Sequence, residues 1–227
     1  GPLPALLKHG AAPSEPELIF WSSALAPRLV HHALRLDGAI SLRFHSRGAI
    51  ANLFVEAQPA LPAASDAEVV LHVRAVGLNF RDVLNVLGEY PGDPGPPGAD
   101  VAGVAGRAAV FGLCDAPLAS VARAPALLIA SKPETLTFEQ ACTLPVTWST
   151  THVALERGEV RSGRALLIHA AAGGVGLKAA EYAQWLGARS LDTAGRPQKH
   201  GLLHAVGVTQ SCSSRDAADA LSPLRAP

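Results

Sequence analysis

Residues 169–188 read HAAAGGVGLKAAEYAQWLGA, and four apolar residues, Ala165, Leu166, Leu167 and Ile168, stand directly before them. A short apolar run, a glycine-rich loop and then Leu177, Ala180 and Ala183 on one helical face predict a buried strand, a tight turn and a helix lying on a sheet. Within the loop, residues 171–176 read AAGGVG, the dinucleotide fingerprint with Ala171 in place of its first glycine. Gly173 has no Cβ, so the backbone there can approach a pyrophosphate closely. Gly176 lets the helix sit tight against the strand, and Gly174 and Val175 place free N–H groups at the positive end of the helix dipole. The bland alternative is a strand-to-helix turn that binds nothing. The loop's position between an apolar strand and a helix favours the nucleotide.

Outward from this loop the same grammar continues. A helix is predicted over about 146–157, a strand over 164–169, helices over 175–186 and 197–206, and a strand over 188–193; this alternation marks a βαβ unit with a parallel sheet. Upstream the pattern changes. In AEVVLHVRAVGLNF (67–80), Val69, Leu71 and Val73 alternate as in a half-buried strand, and strand-like pieces fill 36–76. RDVLNVLG forms a short helix that stops at Gly88. YPGDPGPPGAD, with Pro91, Pro94, Pro96 and Pro97 interleaved with glycines, is a fixed surface loop. Thr137 and Gln140 have the spacing of a capping box. The chain therefore divides into a proline- and alanine-rich linker with an opening strand (1–30), a mainly β part (31–145) and a nucleotide-type α/β part (146–227).

Which nucleotide is bound depends on the tip of the second strand. Asp192 lies 19 positions beyond Gly173, superficially as in an NAD site, but the strand tip falls at Ala194 and Gly195. Arg196 and Lys199 follow at once, two cations where a 2′-phosphate would lie, so NADPH is favoured over NADH.

Composition narrows the remaining classes. Of 227 residues 48% are hydrophobic, ample for a core, and 19 basic residues balance 19 acidic ones, which implies no sequence-independent attraction to nucleic acid or anionic membrane. The apolar runs are short and broken, so neither a membrane span nor a signal peptide is predicted. Cys114, Cys142 and Cys212 are too scattered for a disulfide framework or a zinc spacing and read as reduced thiols in a cytoplasmic setting, although an organelle is open. The chain has no methionine, which reads as a piece of a longer polypeptide or a processed product.

Three blocks, GLNFRDVLNVLGEYPGDPGPPGAD, PETLTFEQACTLPVTWSTTHVAL and IHAAAGGVGLKAAEYAQWLGA, together resemble the enoylreductase domain of modular polyketide synthases, in the zinc-free, quinone-reductase-like branch of the medium-chain dehydrogenase/reductase superfamily. The resemblance covers roughly residues 17–216. It implies a GroES-like β-barrel domain with the substrate cleft, followed by a Rossmann domain. It also implies NADPH-dependent reduction of an α,β-unsaturated thioester carried on an acyl carrier protein, beside other polyketide synthase domains. Hydride goes to the β-carbon and a proton to the α-carbon.

Carried over by position, Tyr90 matches the tyrosine that protonates the enolate in some members, a role open to a phenol held beside it; packing on the proline loop is the alternative. Asn79 matches a residue near the nicotinamide and the substrate carbonyl, against a helix-capping role. Arg81 and Asp82 are read as a structural pair on the same helix. Thr150 matches a threonine facing the nicotinamide side, and His152, where an aromatic is common, is read as packed or partly exposed. Gly173, Gly174, Val175 and Gly176 correspond to the phosphate loop, Gly195 and Lys199 to the turn after the second strand, and Arg215 to an arginine at the adenosine end. Gly98-Ala99-Asp100 stands where zinc-dependent relatives carry Gly-His-Glu, so no zinc site is expected.

Two departures from the family pattern stand out. Val104-Ala105-Gly106 runs almost directly into Arg107–Gly112, so a hairpin of roughly 15 to 20 residues is missing, and an opened barrel edge is expected. The chain also stops soon after SSRD, without the second half of the Rossmann sheet or the lysine and aspartate that are the family's other proton-donor candidates. The alternatives are a free-standing NADPH quinone or enone reductase and a degenerate scaffold domain.

Overall fold

The computed structural model describes residues 38–215. The linker and opening strand read from the sequence lie outside these residues, as does the chain after Arg215.

An antiparallel hairpin of β1 (Ile40–Phe44) and β2 (Leu53–Ala57) comes first. It docks through main-chain bonds from the Leu42 N–H to Leu118 O and from the Ser120 N–H to Ile40 O. Five antiparallel strands follow: β3 (Glu68–Gly77), β4 (Asp100–Ala105), β5 (Ala108–Leu113), β6 (Val121–Pro125) and β7 (Ile129–Ser131), in the order β6-β3-β4-β5-β7. Their inward residues Leu71, Val101, Val110, Cys114, Ala122 and Ala124 form one apolar cluster. The alternation read at Leu71 and Val73 persists until a bulge between Val73 and Ala75 bends β3.

The shortened connection after β4 does not open the sheet where it occurs. β4 and β5 pair along their whole length, from Asp100 opposite Leu113 to Ala105 opposite Ala108. A two-residue turn joins them, with Gly106 at φ +59° supplying the left-handed conformation that a tight hairpin requires. The edges are instead β6 and β7.

Helix α1 (Phe80–Leu87) ends at Gly88 in the left-handed region, φ +73°. The proline-rich loop after it is pinned rather than loose. The Arg81 guanidinium donates to Pro94 O at 2.6 Å, Asn85 Nδ2 to Gly95 O at 3.0 Å, and the Gly98 N–H to Asp82 at 2.7 Å. Arg81 and Asp82 are thus structural, as read, but with separate partners. They are adjacent in sequence, and adjacent helical side chains diverge instead of facing each other.

α2 (Phe138–Ala141) begins at a capping box: Thr137 Oγ1 accepts from the Gln140 N–H and the Gln140 side chain accepts from the Thr137 N–H. α3 (Pro145–Arg157) starts with proline at its first position, where a missing N–H costs nothing. Then come β8 (Ala165–Ile168), α4 (Gly174–Trp185), β9 (Arg189–Ala194), α5 (Pro197–Ala205) and β10 (Ser211–Ser213). The three strands pair in parallel in the order β10-β9-β8. Ile168, Ala171, Ala180, Ala194, Leu203 and Val208 form the core between this sheet and its helices. The fold is a GroES-like β unit followed by part of a Rossmann sheet. Among the described residues no helix is long and apolar enough to cross a membrane.

Candidate functional site

The β8–α4 junction has the geometry that the glycine loop requires. Gly173, Gly174 and Val175 are exposed and Gly176 is buried. A Cβ on Gly176 would stand 2.6 Å from Ala171 Cα, so a side chain there would force helix and strand apart. At Gly173 the only neighbour of such an atom is Ala170 O, at 3.2 Å, which leaves the outer side of the loop free for a ligand. The first intrahelical bond runs from the Leu177 N–H to Gly173 O. The N–H groups of Gly174, Val175 and Gly176 therefore have no acceptor within the helix and face the positive end of its dipole. α3 backs the loop: Thr147 Cγ2 lies 3.4 Å from where a Gly174 Cβ would be, and the Thr151 hydroxyl donates to Val175 O at 3.4 Å. Thr150 is exposed on that helix.

At the tip of β9 the chain turns at Gly195. A Cβ there would meet Arg215 Nε and Ser214 Oγ, each at 3.3 Å, so these side chains close tightly over the turn. Arg196 caps the start of α5, and Lys199 lies in its first turn; both are exposed. Asp192 is not a ribose ligand placed at the tip. It is fully buried two residues earlier, and neither carboxylate oxygen meets a hydrogen-bond partner. Burial pushes its carboxyl above the ordinary range, with Ser190 offsetting part of the shift.

The third part of the site joins the β sheet to α3. Asn79 precedes α1; its backbone N–H donates to Asp82 at 2.8 Å and its amide Nδ2 donates to Asp100 at 2.8 Å. The other Asp100 oxygen accepts from the Val146 N–H in the first turn of α3 at 2.7 Å. One buried carboxylate thus holds β4, α1 and α3 together. Its pKa is raised by desolvation, opposed by the Asn79 and Val146 hydrogen bonds. Close packing reinforces the joint: a Cβ on Gly77 would fall 2.1 Å from Cys142 O. Sequence reasoning passed over Asp100 as a ligand position of zinc-dependent relatives; a lone acid between alternating apolar residues was the available signal.

Tyr90 is half-buried, folded back along α1 so that the Arg81 guanidinium lies 5.6 Å from its ring centre. His152 is exposed, with Nδ1 3.1 Å from the Tyr182 hydroxyl, which accords with the partly exposed reading. The three cysteines are buried, and burial with the nearby Asp115 and Asp100 charges pushes the Cys114 thiol up to about 12. A cavity of about 790 Å³ bordered by Arg43, Arg47, Arg123 and Pro96 includes neither Asn79, Tyr90 nor the glycine loop in its walls.

No protein-family profile matches the chain. Among curated proteins, erythronolide synthase EryA2 of Saccharopolyspora erythraea is 36% identical over 224 aligned residues, taking in 91% of this chain but 6% of that protein. Among solved structures, CurK enoyl reductase superposes with a TM-score of 0.72 at 33% identity, covering 79% of this chain and 61% of that one. The quinone oxidoreductase of Thermus thermophilus, solved alone and with NADPH, gives 0.66 at 34% identity, covering 78% and 60%. The chain therefore spans a small fraction of that curated relative and about three fifths of these solved reductase chains. With the glycine loop, the β9 turn and the GroES-like sheet in this order, the chain has the fold of the medium-chain dehydrogenase/reductase superfamily and is similar in sequence to polyketide synthases and in structure to enoyl and quinone reductases.

Proposed function

We propose that residues 31–145 form the substrate domain and residues 146–227 the first half of the nucleotide domain of an NADPH-dependent enoyl reductase. The substrate is an α,β-unsaturated acyl thioester on an acyl carrier protein, handled in the cytoplasm among the other domains of a polyketide synthase. The observation that carries this reading is the exposed Gly173–Gly174 backbone at the start of α4, where a Cβ on Gly173 would meet only Ala170 O. NADPH supplies the hydride when bound. The amides of Gly174, Val175 and Gly176 hold its diphosphate, while Gly195, Arg196, Lys199 and Arg215 take the adenosine end and its 2′-phosphate. Asn79, its amide oriented by Asp100, faces the substrate carbonyl, and Thr150 stands on the nicotinamide side. Tyr90 would give its hydroxyl proton to the α-carbon, neutralising the thioester enolate that hydride addition at the β-carbon leaves.

Fluorescence titration of the 227-residue chain with NADPH tests the cofactor half of this reading. Saturable binding is expected, weakened about tenfold in Lys199→Ala, as for the loss of one charge-assisted contact. No binding by the wild-type chain would leave the scaffold role in its place.

A further inference from the structure

The turn after β9 is held by a histidine that the proposed chemistry does not use. His200 lies in the first turns of α5, half-buried, with both ring nitrogens engaged. Nε2 is 3.0 Å from Ala194 O, and Nδ1 is 2.9 Å from Ser211 Oγ. A carbonyl only accepts, so Nε2 carries the hydrogen, and in the neutral ring Nδ1 accepts from the Ser211 hydroxyl. The same Ala194 carbonyl takes a second hydrogen bond from the Ser214 N–H at 3.0 Å. The ring thereby ties three pieces of chain at one point: α5 through its own backbone, the last residue of β9 and the first residue of β10.

These pieces carry the groups assigned above to the adenosine end. Gly195 and Arg196 follow Ala194 directly, Lys199 is the neighbour of His200, and Ser214 and Arg215 follow β10. Lys199 and Arg196 are long, exposed side chains whose backbone placement decides whether their charges converge. We infer that His200 is a positioning residue that sets preference for a 2′-phosphorylated adenine nucleotide, by locking the Gly195–Lys199 turn against the Ser214–Arg215 segment. The inference rests on the NADPH reading and adds a residue that touches no ligand atom itself.

The test is equilibrium titration of the chain with NADPH and with NADH, for wild type, His200→Ala, His200→Gln and Ser211→Ala, with urea unfolding midpoints for each. His200→Ala is expected to weaken NADPH about five- to tenfold, the scale of one to two lost hydrogen bonds, while NADH changes less than about twofold. Ser211→Ala, which removes one of the two bonds, moves the NADPH constant in the same direction by about two- to threefold. His200→Gln, which keeps a donor and an acceptor, recovers part of the loss. An unchanged NADPH-to-NADH ratio in His200→Ala, or an equal loss of both nucleotides, overturns the inference while leaving the NADPH reading intact. A wild-type chain that binds neither nucleotide removes the cofactor reading and this inference together.

Discussion

Among the described residues Asp82, Asp100 and Asp192 are buried carboxylates, and the last two are kept in opposite ways. Asp100, 2% exposed, is met by a donor on each oxygen, the Asn79 amide and the Val146 N–H. Asp192, 0% exposed, lies in the middle strand of the parallel sheet, level with Ile168 and Ser211, and its oxygens meet no donor. Desolvation raises the pKa of both; at Asp100 the Asn79 and Val146 hydrogen bonds oppose it, whereas at Asp192 the neighbouring Ser190 alone does. Asp100 is a joint between the β sheet and α3, whereas Asp192 is a load on the sheet that presents the nucleotide loop. Burial alone therefore says little about the contribution of an acid; the donors around it decide the sign.

The largest effect expected from this contrast is at the joint. Asp100→Ala leaves the Asn79 amide and the Val146 N–H without their acceptor and should lower stability by about 2–4 kcal/mol, read as a shift of the urea midpoint. A loss below about 1 kcal/mol would show that water replaces the carboxylate and that the joint is held by packing at Gly77.

The opposite sign is expected at Asp192. The unfolded carboxyl titrates near about 3.9, and the folded one above that, so the folded state keeps a proton that the unfolded state has released. Stability is then greatest at the acid end of this window and falls as pH rises through the raised folded value. Asp192→Asn should remove its share of that fall and stabilise the protein at neutral pH by about 1–3 kcal/mol. Urea midpoints of both proteins across the acid-to-neutral range check this, and equal slopes would refute it. A slope that persists in the variant includes the contribution of Asp100, which has the same sign.

The smallest effect belongs to a charge that is not buried. Glu181, exposed on α4, pairs with Lys178 at 2.6 Å, while the Lys178 ammonium also lies 5.5 Å from the Trp148 ring centre. Glu181→Ala should change stability by less than about 0.5 kcal/mol and lose even that in high salt.

Local chemistry explains why some of this could be read early. A capping box at Thr137, a left-handed stop at Gly88 and a turn glycine at Gly195 each act within a few residues, so the chain announces them. The β9 tip at Ala194 follows equally from a short strand ending before Gly195. The fate of Asp192 was not legible, because a strand acid looks the same whether its face meets solvent or a helix. Arg81 and Asp82 were paired by adjacency, yet their partners, Pro94 and Gly98, come from the folded-back loop.

The sequence alone determined the order of elements, the glycine loop with its bare backbone and the cations that follow β9, because each depends on neighbours close along the chain. Tertiary structure alone decided that Asp100 spans to α3, that the β4–β5 connection closes on a two-residue turn, and that His200 fastens β9 to β10. Those outcomes depend on which distant donors arrive within about 3 Å of a given acceptor, a property of the packed chain rather than of any segment of it.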